Sequence, residues 1–170
     1  MMKNLFQILC GLFLVVSYSS CMHSEEDKVD VLIIGGGASG VTSGIQSARM
    51  GANTLILEES TWLGGMLTSA GVSAVDGNYR LPAGLWGEFK NRLSDYYGGL
   101  DSLKTGWVSN VLFEPSVGNK ILHEMVAAEN NLKVWKQACL EEVKRTGDEW
   151  VAKVKVEGQG VENGSGEGHD

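Results

Sequence analysis

No C-x-x-C pair, no basic patch and no apolar run long enough to span a membrane occur in this chain of 170 residues. The missing C-x-x-C argues against a dithiol-exchanging disulfide reductase. His23, His123 and His169 are scattered and Cys139 has no partner spacing, so no metal site is expected. G-x-S-x-G is missing too, and with it the nucleophile elbow of a serine hydrolase. The adjacent pairs Glu58-Glu59 and Glu141-Glu142 lie on extended chain and point to opposite faces, so neither forms an acid–base dyad. Basic residues number 14 against 21 acidic, a balance that argues against nucleic acid as partner. Proline is scarce, at 2, and glycine abundant, at 23. The apolar fraction of 43% is nevertheless that of a globular domain rather than a disordered chain.

Residues 1–20 have the pattern of an export signal and stand outside the fold argument. Lys3 supplies the positive start, and Leu5–Val16 is an apolar stretch of signal-peptide length. Ser17, Tyr18, Ser19 and Ser20 then run into Cys21. Small residues before a cysteine resemble a lipoprotein processing site, with Cys21 as the lipidated first residue of the mature chain. Tyr18 stands where such sites carry an aliphatic residue. The acidic run Glu25-Glu26-Asp27 resembles the surface-export tails of some Gram-negative lipoproteins. The expectation is an exported protein of the periplasm or cell surface, anchored to the outer membrane through Cys21. With Lys3 removed, 13 basic residues face 21 acidic ones, a net charge of −8.

Asp30–Glu59 organises the rest. Val31-Leu32-Ile33-Ile34 reads as a buried strand of a parallel sheet. Gly35-Gly36-Gly37-Ala38-Ser39-Gly40 follows at once and fits G-x-G-x-x-G. A helical pattern over Val41–Met50 stops at Gly51, and a second strand, Thr54–Leu57, ends in Glu58. Strand, glycine turn, helix, strand and acid in that order constitute a dinucleotide-binding fingerprint. Gly35 permits the tight turn, Gly37 lets the backbone approach a pyrophosphate, and Gly40 lets helix and strand pack closely. Ala38 and Ser39 offer unpaired N–H groups at the positive end of the helix dipole. Glu58 is placed to accept hydrogen bonds from a ribose diol, and its charge would repel a 2′-phosphate. These residues alone leave FAD and NAD both open as cofactors.

Further along, Gly64-Gly65 comes directly after the acid-terminated strand, and Ala70–Arg80 is rich in turn residues. Gly84–Tyr97 is a helical pattern that aligns Leu85, Phe89, Leu93 and Tyr96 or Tyr97. Ser102–Leu112 has no assignable pattern. Pro115 opens a second helical pattern with an apolar face of Val117, Ile121, Leu122, Met125 and Val126. His123 falls on the other, solvated side. Leu132–Trp135 reads as a third strand. Ala138–Val143 and Glu149–Val156 flank Thr146-Gly147-Asp148 as a hairpin, in which Trp150, Ala152, Val154 and Val156 share a face. Residues 158–170 read as a flexible, glycine-rich tail.

The stretches VLIIGGGASGVTSGIQSARMGANTLILEES, WLGGMLTSAGV and FEPSVGNKILHEMV resemble the FAD-dependent oxidoreductases of the glutathione-reductase-like superfamily. More narrowly, they look like the bacterial FAD-dependent oxidoreductase family whose exported members are often labelled xanthan lyases. Nothing in the residues supplies the base or sugar groove that a lyase needs. The resemblance implies an α/β, Rossmann-like three-layer domain over 29–157, with a parallel sheet, helices and a β-hairpin insertion, joined by an acidic linker, 21–28, to the leader. It further implies that Gly64 and Gly65 line the cofactor loop. Thr68, Ser69 and Arg80 would either face the flavin or substrate or be solvated loop residues. The adenine would meet the backbone at Leu140, with Ala138 and Cys139 as competitors. Family members are longer, so the chain is expected to be an N-terminal piece of a longer parent. Three functions stay open: a flavin-dependent oxidoreductase acting on an unidentified small molecule, an NAD-dependent dehydrogenase, and a truncated, non-catalytic surface lipoprotein.

Overall fold

A computed structural model describes residues 27–107 and 109–157. The leader, Cys21, His23, most of the acidic linker and the 158–170 tail lie outside the described residues.

Four-residue runs of β-branched and leucine side chains make the first strand, β1 (Val31–Ile34), which pairs in parallel with β2 (Thr54–Glu58). β2 pairs in parallel with β3 (Leu132–Lys136), giving the order β1-β2-β3. Parallel neighbours need a crossover. Helix α1 (Ala38–Arg49) makes the first, and α2 (Gly84–Tyr97) and α3 (Pro115–Ala127) lie within the second. β4 (Ala138–Thr146) and β5 (Glu149–Val156) form a separate antiparallel hairpin, turned at Gly147-Asp148.

Alternation along the strands sends successive side chains to opposite faces and so makes three layers. Ile33, Ile56 and Val134 stand in register and face the helices. There they meet Val41 and Ile45 of α1, Phe89 and Leu93 of α2, and Ile121, Leu122 and Met125 of α3. Leu32, Leu55, Leu57 and Trp135 face the other way, onto Ala138, Leu140, Val154 and Val156 of the hairpin. Each fully buried aliphatic side chain is worth about 1.5–3 kcal/mol, so these two clusters are the main source of stability. Gly44 permits the closest helix–sheet contact, because a Cβ there would come within 2.6 Å of the Ile56 side chain. Arg49 joins the helices at their rim, pairing with Glu129 at 2.7 Å and with Glu88 at 2.9 Å.

Part of the stretch without a sequence pattern is held by a 3₁₀ turn and a backbone-directed hydroxyl. A 3₁₀ turn, Leu100–Leu103, buries Leu103. The Ser109 hydroxyl donates to the Val75 carbonyl at 2.7 Å, and Ala74 bridges Leu112. Folding decides what spacing left open for two aromatic side chains, and it corrects one expectation, that for His123. Tyr97, not Tyr96, packs on the core, and its hydroxyl accepts from the Glu114 N–H at 3.0 Å. Trp150 is 69% exposed, because the distal half of the hairpin runs past the sheet that covers its proximal half. His123 is half-buried rather than solvated.

Burial, and secondarily the Lys136 charge, pushes the His123 imidazole below its ordinary value of 6.5. As pH falls through that value the unfolded chain takes up the proton first, so acidification destabilises the fold. The expected outcome is a melting temperature that drops between about pH 7 and about pH 5, with His123→Gln removing part of the drop.

Candidate dinucleotide-binding site

The site is built at the carboxyl ends of β1 and β2, where open α/β sheets bind their ligands. Its floor is a turn that only glycine can follow. Gly35 has φ +95°, and its carbonyl lies under Gly40 so closely that a Cβ on Gly40 would sit 1.9 Å from it. Gly37 caps α1 with its carbonyl, which accepts from the Val41 N–H at 2.9 Å. No side chain caps this helix end and no acid occupies its first turn. The N–H groups of Ala38 and Ser39 therefore sit at an electropositive end with no internal anion to meet them. A Cβ on Gly37 would meet nothing within 4 Å, so the backbone there faces open space.

The glycine pair after β2 comes back onto this turn. The Gly64 N–H donates to the Gly36 carbonyl at 2.8 Å, and Gly64 bridges Gly37. A Cβ on Gly65 would come within 3.1 Å of the Gly37 Cα. Gly64 itself is buried, at φ +105°, against Thr68 and Leu122. Thr68, expected near a ligand or in solvent, is instead buried, and its hydroxyl donates to the Leu63 carbonyl. The fold needs that hydroxyl to close the loop, since a buried carbonyl without a donor is costly. Ser69 and Arg80 are exposed.

Glu58 is bound on both oxygens. Oε2 accepts from the Gly36 N–H at 2.7 Å, and Oε1 from the Ser60 N–H at 2.7 Å. Each carboxylate oxygen has a second lone pair, which leaves room for ribose hydroxyls. A cavity of about 180 Å³ beside it is lined by Ile34, Gly35, Leu57, Glu58, Glu59, Ala138 and Leu140. That is too small for a whole dinucleotide and suits one part of it. Gly35, Glu58 and Leu140, widely separated in sequence, thus line one hollow. Cys139, its neighbour in the chain, has its thiol pushed upward by burial first and then by the Glu59 charge. A thiol held protonated in this way is a poor nucleophile.

Sequence reasoning missed the supports of this site. Gly36 fills an unassigned position of the fingerprint, yet a Cβ there would lie 2.8 Å from Leu63 and 2.9 Å from the Glu58 carboxylate. Asn119, on α3, accepts from the Leu63 N–H through Oδ1 at 2.9 Å. Gly36 carried a signal only as the middle of three glycines, and Asn119 carried none. Among the described residues no group of three His, Cys, Asp or Glu is placed to hold a metal, and no helix is long and apolar enough to cross a membrane.

A parallel sheet under helices, a glycine cradle and an acid at the end of the second strand define a Rossmann-like dinucleotide-binding domain. Residues 30–166 match the FAD dependent oxidoreductase family, and the chain belongs to it. Similar solved structures include AlpK, at 15% identity and TM-score 0.53 over 79% of this chain and 29% of that one. L-proline dehydrogenase from P. horikoshii aligns at 20% identity and TM-score 0.43, over 82% of this chain and 22% of that one. Thioredoxin reductase from T. acidophilum aligns at 22% identity and TM-score 0.46, over 76% and 31%. At such identities the likeness is one of fold, and the chain spans less than a third of each of these three structures. No match is found among the curated proteins.

The geometry separates two glycines that look equivalent in the sequence. Gly40→Ala should cost about 3 kcal/mol or more, because backbone must move to admit the methyl group. Gly37→Ala should stay within about 1 kcal/mol of the parent. Thermal or urea unfolding of the two variants side by side checks the contrast.

Proposed function

We propose that this domain binds the ADP half of FAD and that the parent protein transfers hydride or electrons through the flavin to a small-molecule substrate. The observation that carries the reading is the uncapped start of α1, facing open space across Gly37 and backed by Gly64-Gly65. A pyrophosphate fits there. Bare glycine backbone lets it approach, and the Ala38 and Ser39 N–H groups and the helix dipole favour its charge. Glu58 holds the adenosine ribose while keeping the Gly36 and Ser60 amides in place, and the hollow beside Leu140 takes the adenine. Bound flavin supplies the redox chemistry, and the protein's share is to bind, orient and shield it. Adenine and pyrophosphate are common to FAD and NAD, so family membership is what favours the flavin.

We also read residues 1–20 as an export signal and Cys21 as a lipid attachment point, which would place the protein at the periplasmic or outer-membrane surface. The support is the pattern Lys3, Leu5–Val16, Ser19-Ser20-Cys21. The acidic balance favours a small molecule over nucleic acid as partner.

The test for the cofactor is colour. The purified parent protein should carry flavin absorbing near roughly 450 nm, and Gly37→Val should fold, by circular dichroism and melting, yet lose that absorption. A colourless wild-type protein stabilised by NAD would overturn the flavin reading in favour of a nicotinamide cofactor. For the anchor, metabolic labelling with a radioactive fatty acid should mark the wild-type protein and not Cys21→Ser.

A further inference from the structure

A second cavity, distinct from the dinucleotide cradle, opens between the loop carrying Tyr79 and Arg80 and residues 100–104 and 110–111. Its volume is about 490 Å³, within the range of small-molecule sites. Three of its lining residues, Arg80, Lys90 and Lys104, are cationic, and none is acidic. That is the reverse of the whole chain, in which acids outnumber bases by 21 to 14.

Lys90 is the unusual member. It is only 7% exposed, and its ammonium donates to the Tyr79 carbonyl at 2.8 Å and the Leu81 carbonyl at 2.9 Å. An ammonium has three donors, so these two carbonyls leave one N–H to offer. No carboxylate pairs with Lys90 among the described residues. A lysine buried this deeply is ordinarily paired with an opposite charge. Its ammonium also lies 5.9 Å from the centre of the Trp86 ring, whose buried indole N–H has no acceptor among the described residues. The lining is thus rich in cationic donors and carries no carboxylate, Asn110 being its one amide. Arg80 spends its Nε on the Tyr79 hydroxyl at 3.1 Å and lies over that ring, which steadies the guanidinium, and its other N–H groups meet no acceptor among the described residues. Lys104 pairs with Asp101 at 2.7 Å, from outside the lining. Leu100, Leu103 and Val111 supply an apolar wall.

We propose that this cavity binds a small organic anion, its carboxylate or phosphate group held by Arg80, Lys90 and Lys104 and its apolar body against Leu100, Leu103 and Val111. An oxyanion gives the buried ammonium the counter-charge that the fold does not supply. The proposal is independent of the cofactor reading, since none of these residues belongs to the cradle.

Titration calorimetry on the full chain, at constant ionic strength, tests it with three probes: benzoate, the neutral isostere benzamide, and inorganic phosphate. At least one anion should bind ten-fold or more tightly than benzamide. The double variant Arg80→Gln/Lys104→Gln should weaken that binding ten-fold or more, while Lys144→Gln, on the exposed hairpin, should not change it. Both substituted side chains are partly or fully exposed, so the variant should fold, with melting as the check. Benzoate binding without phosphate binding assigns a carboxylate ligand, and the reverse assigns a phosphate ester. Equal affinity for benzoate and benzamide without phosphate binding, no binding of any probe, or an undiminished anion affinity in the double variant would overturn the proposal.

Discussion

Everything at the cofactor end of this fold depends on main chain meeting main chain where no Cβ intervenes. The Gly35 carbonyl lies under the first turn of α1 at a distance that any side chain on Gly40 would violate. The turn of Gly36 and Gly37 is then joined to Gly64 and Gly65 by a backbone hydrogen bond and a bridge, with room for only 3.1 Å between a Cβ on Gly65 and the Gly37 Cα. These two contacts set the helix end, the second loop and the sheet edge around one space. Remove either, and the strand ends no longer present a common surface. The hydrophobic clusters above and below the sheet hold the layers together, but they would tolerate a somewhat different turn. The glycine contacts would not.

Glu58 joins this constraint to the chemistry. Its carboxylate ties the amide of Gly36 to that of Ser60 before any ligand is considered. The residue proposed to recognise a ribose is therefore also a brace of the glycine turn. Such double use gives pre-organisation: the acceptor atoms are held in place by the protein's own amides and need little reordering when a sugar arrives. The same frugality holds in the following loop, where Thr68 and Asn119 satisfy the backbone of Leu63 from two sides and keep the glycine pair in position.

The two glycine elements, the acid between them, and the five strands and three α-helices of the described residues were legible in the sequence, because each rests on a local signal. Strands β1 and β2 are short apolar runs bounded by glycine or acid. Helices α2 and α3 show their apolar faces at helical spacing, and the hairpin declares itself by alternation around Gly147. Where spacing left the outcome open or pointed elsewhere, tertiary packing decided it. Thr68 looked like a loop hydroxyl until packing against Gly64 buried it. Tyr96 and Tyr97 are indistinguishable by spacing, and the choice fell to a backbone amide at Glu114. Trp150 follows its strand's pattern faithfully but lies beyond the sheet that would cover it.

Local chemistry in the chain was enough to specify a glycine turn, an anion-attracting helix start and a carboxylate one strand over, since φ preference, dipole and hydrogen-bonding capacity belong to residues and their near neighbours. Only the folded arrangement decided that Glu58 braces Gly36, that Leu140 returns to share a hollow with Gly35, and that Arg80, Lys90 and Lys104 line one cavity. Those meetings join residues from 10 to over 100 positions apart, and packing of the layers, to which local pattern is blind, is what brings them together.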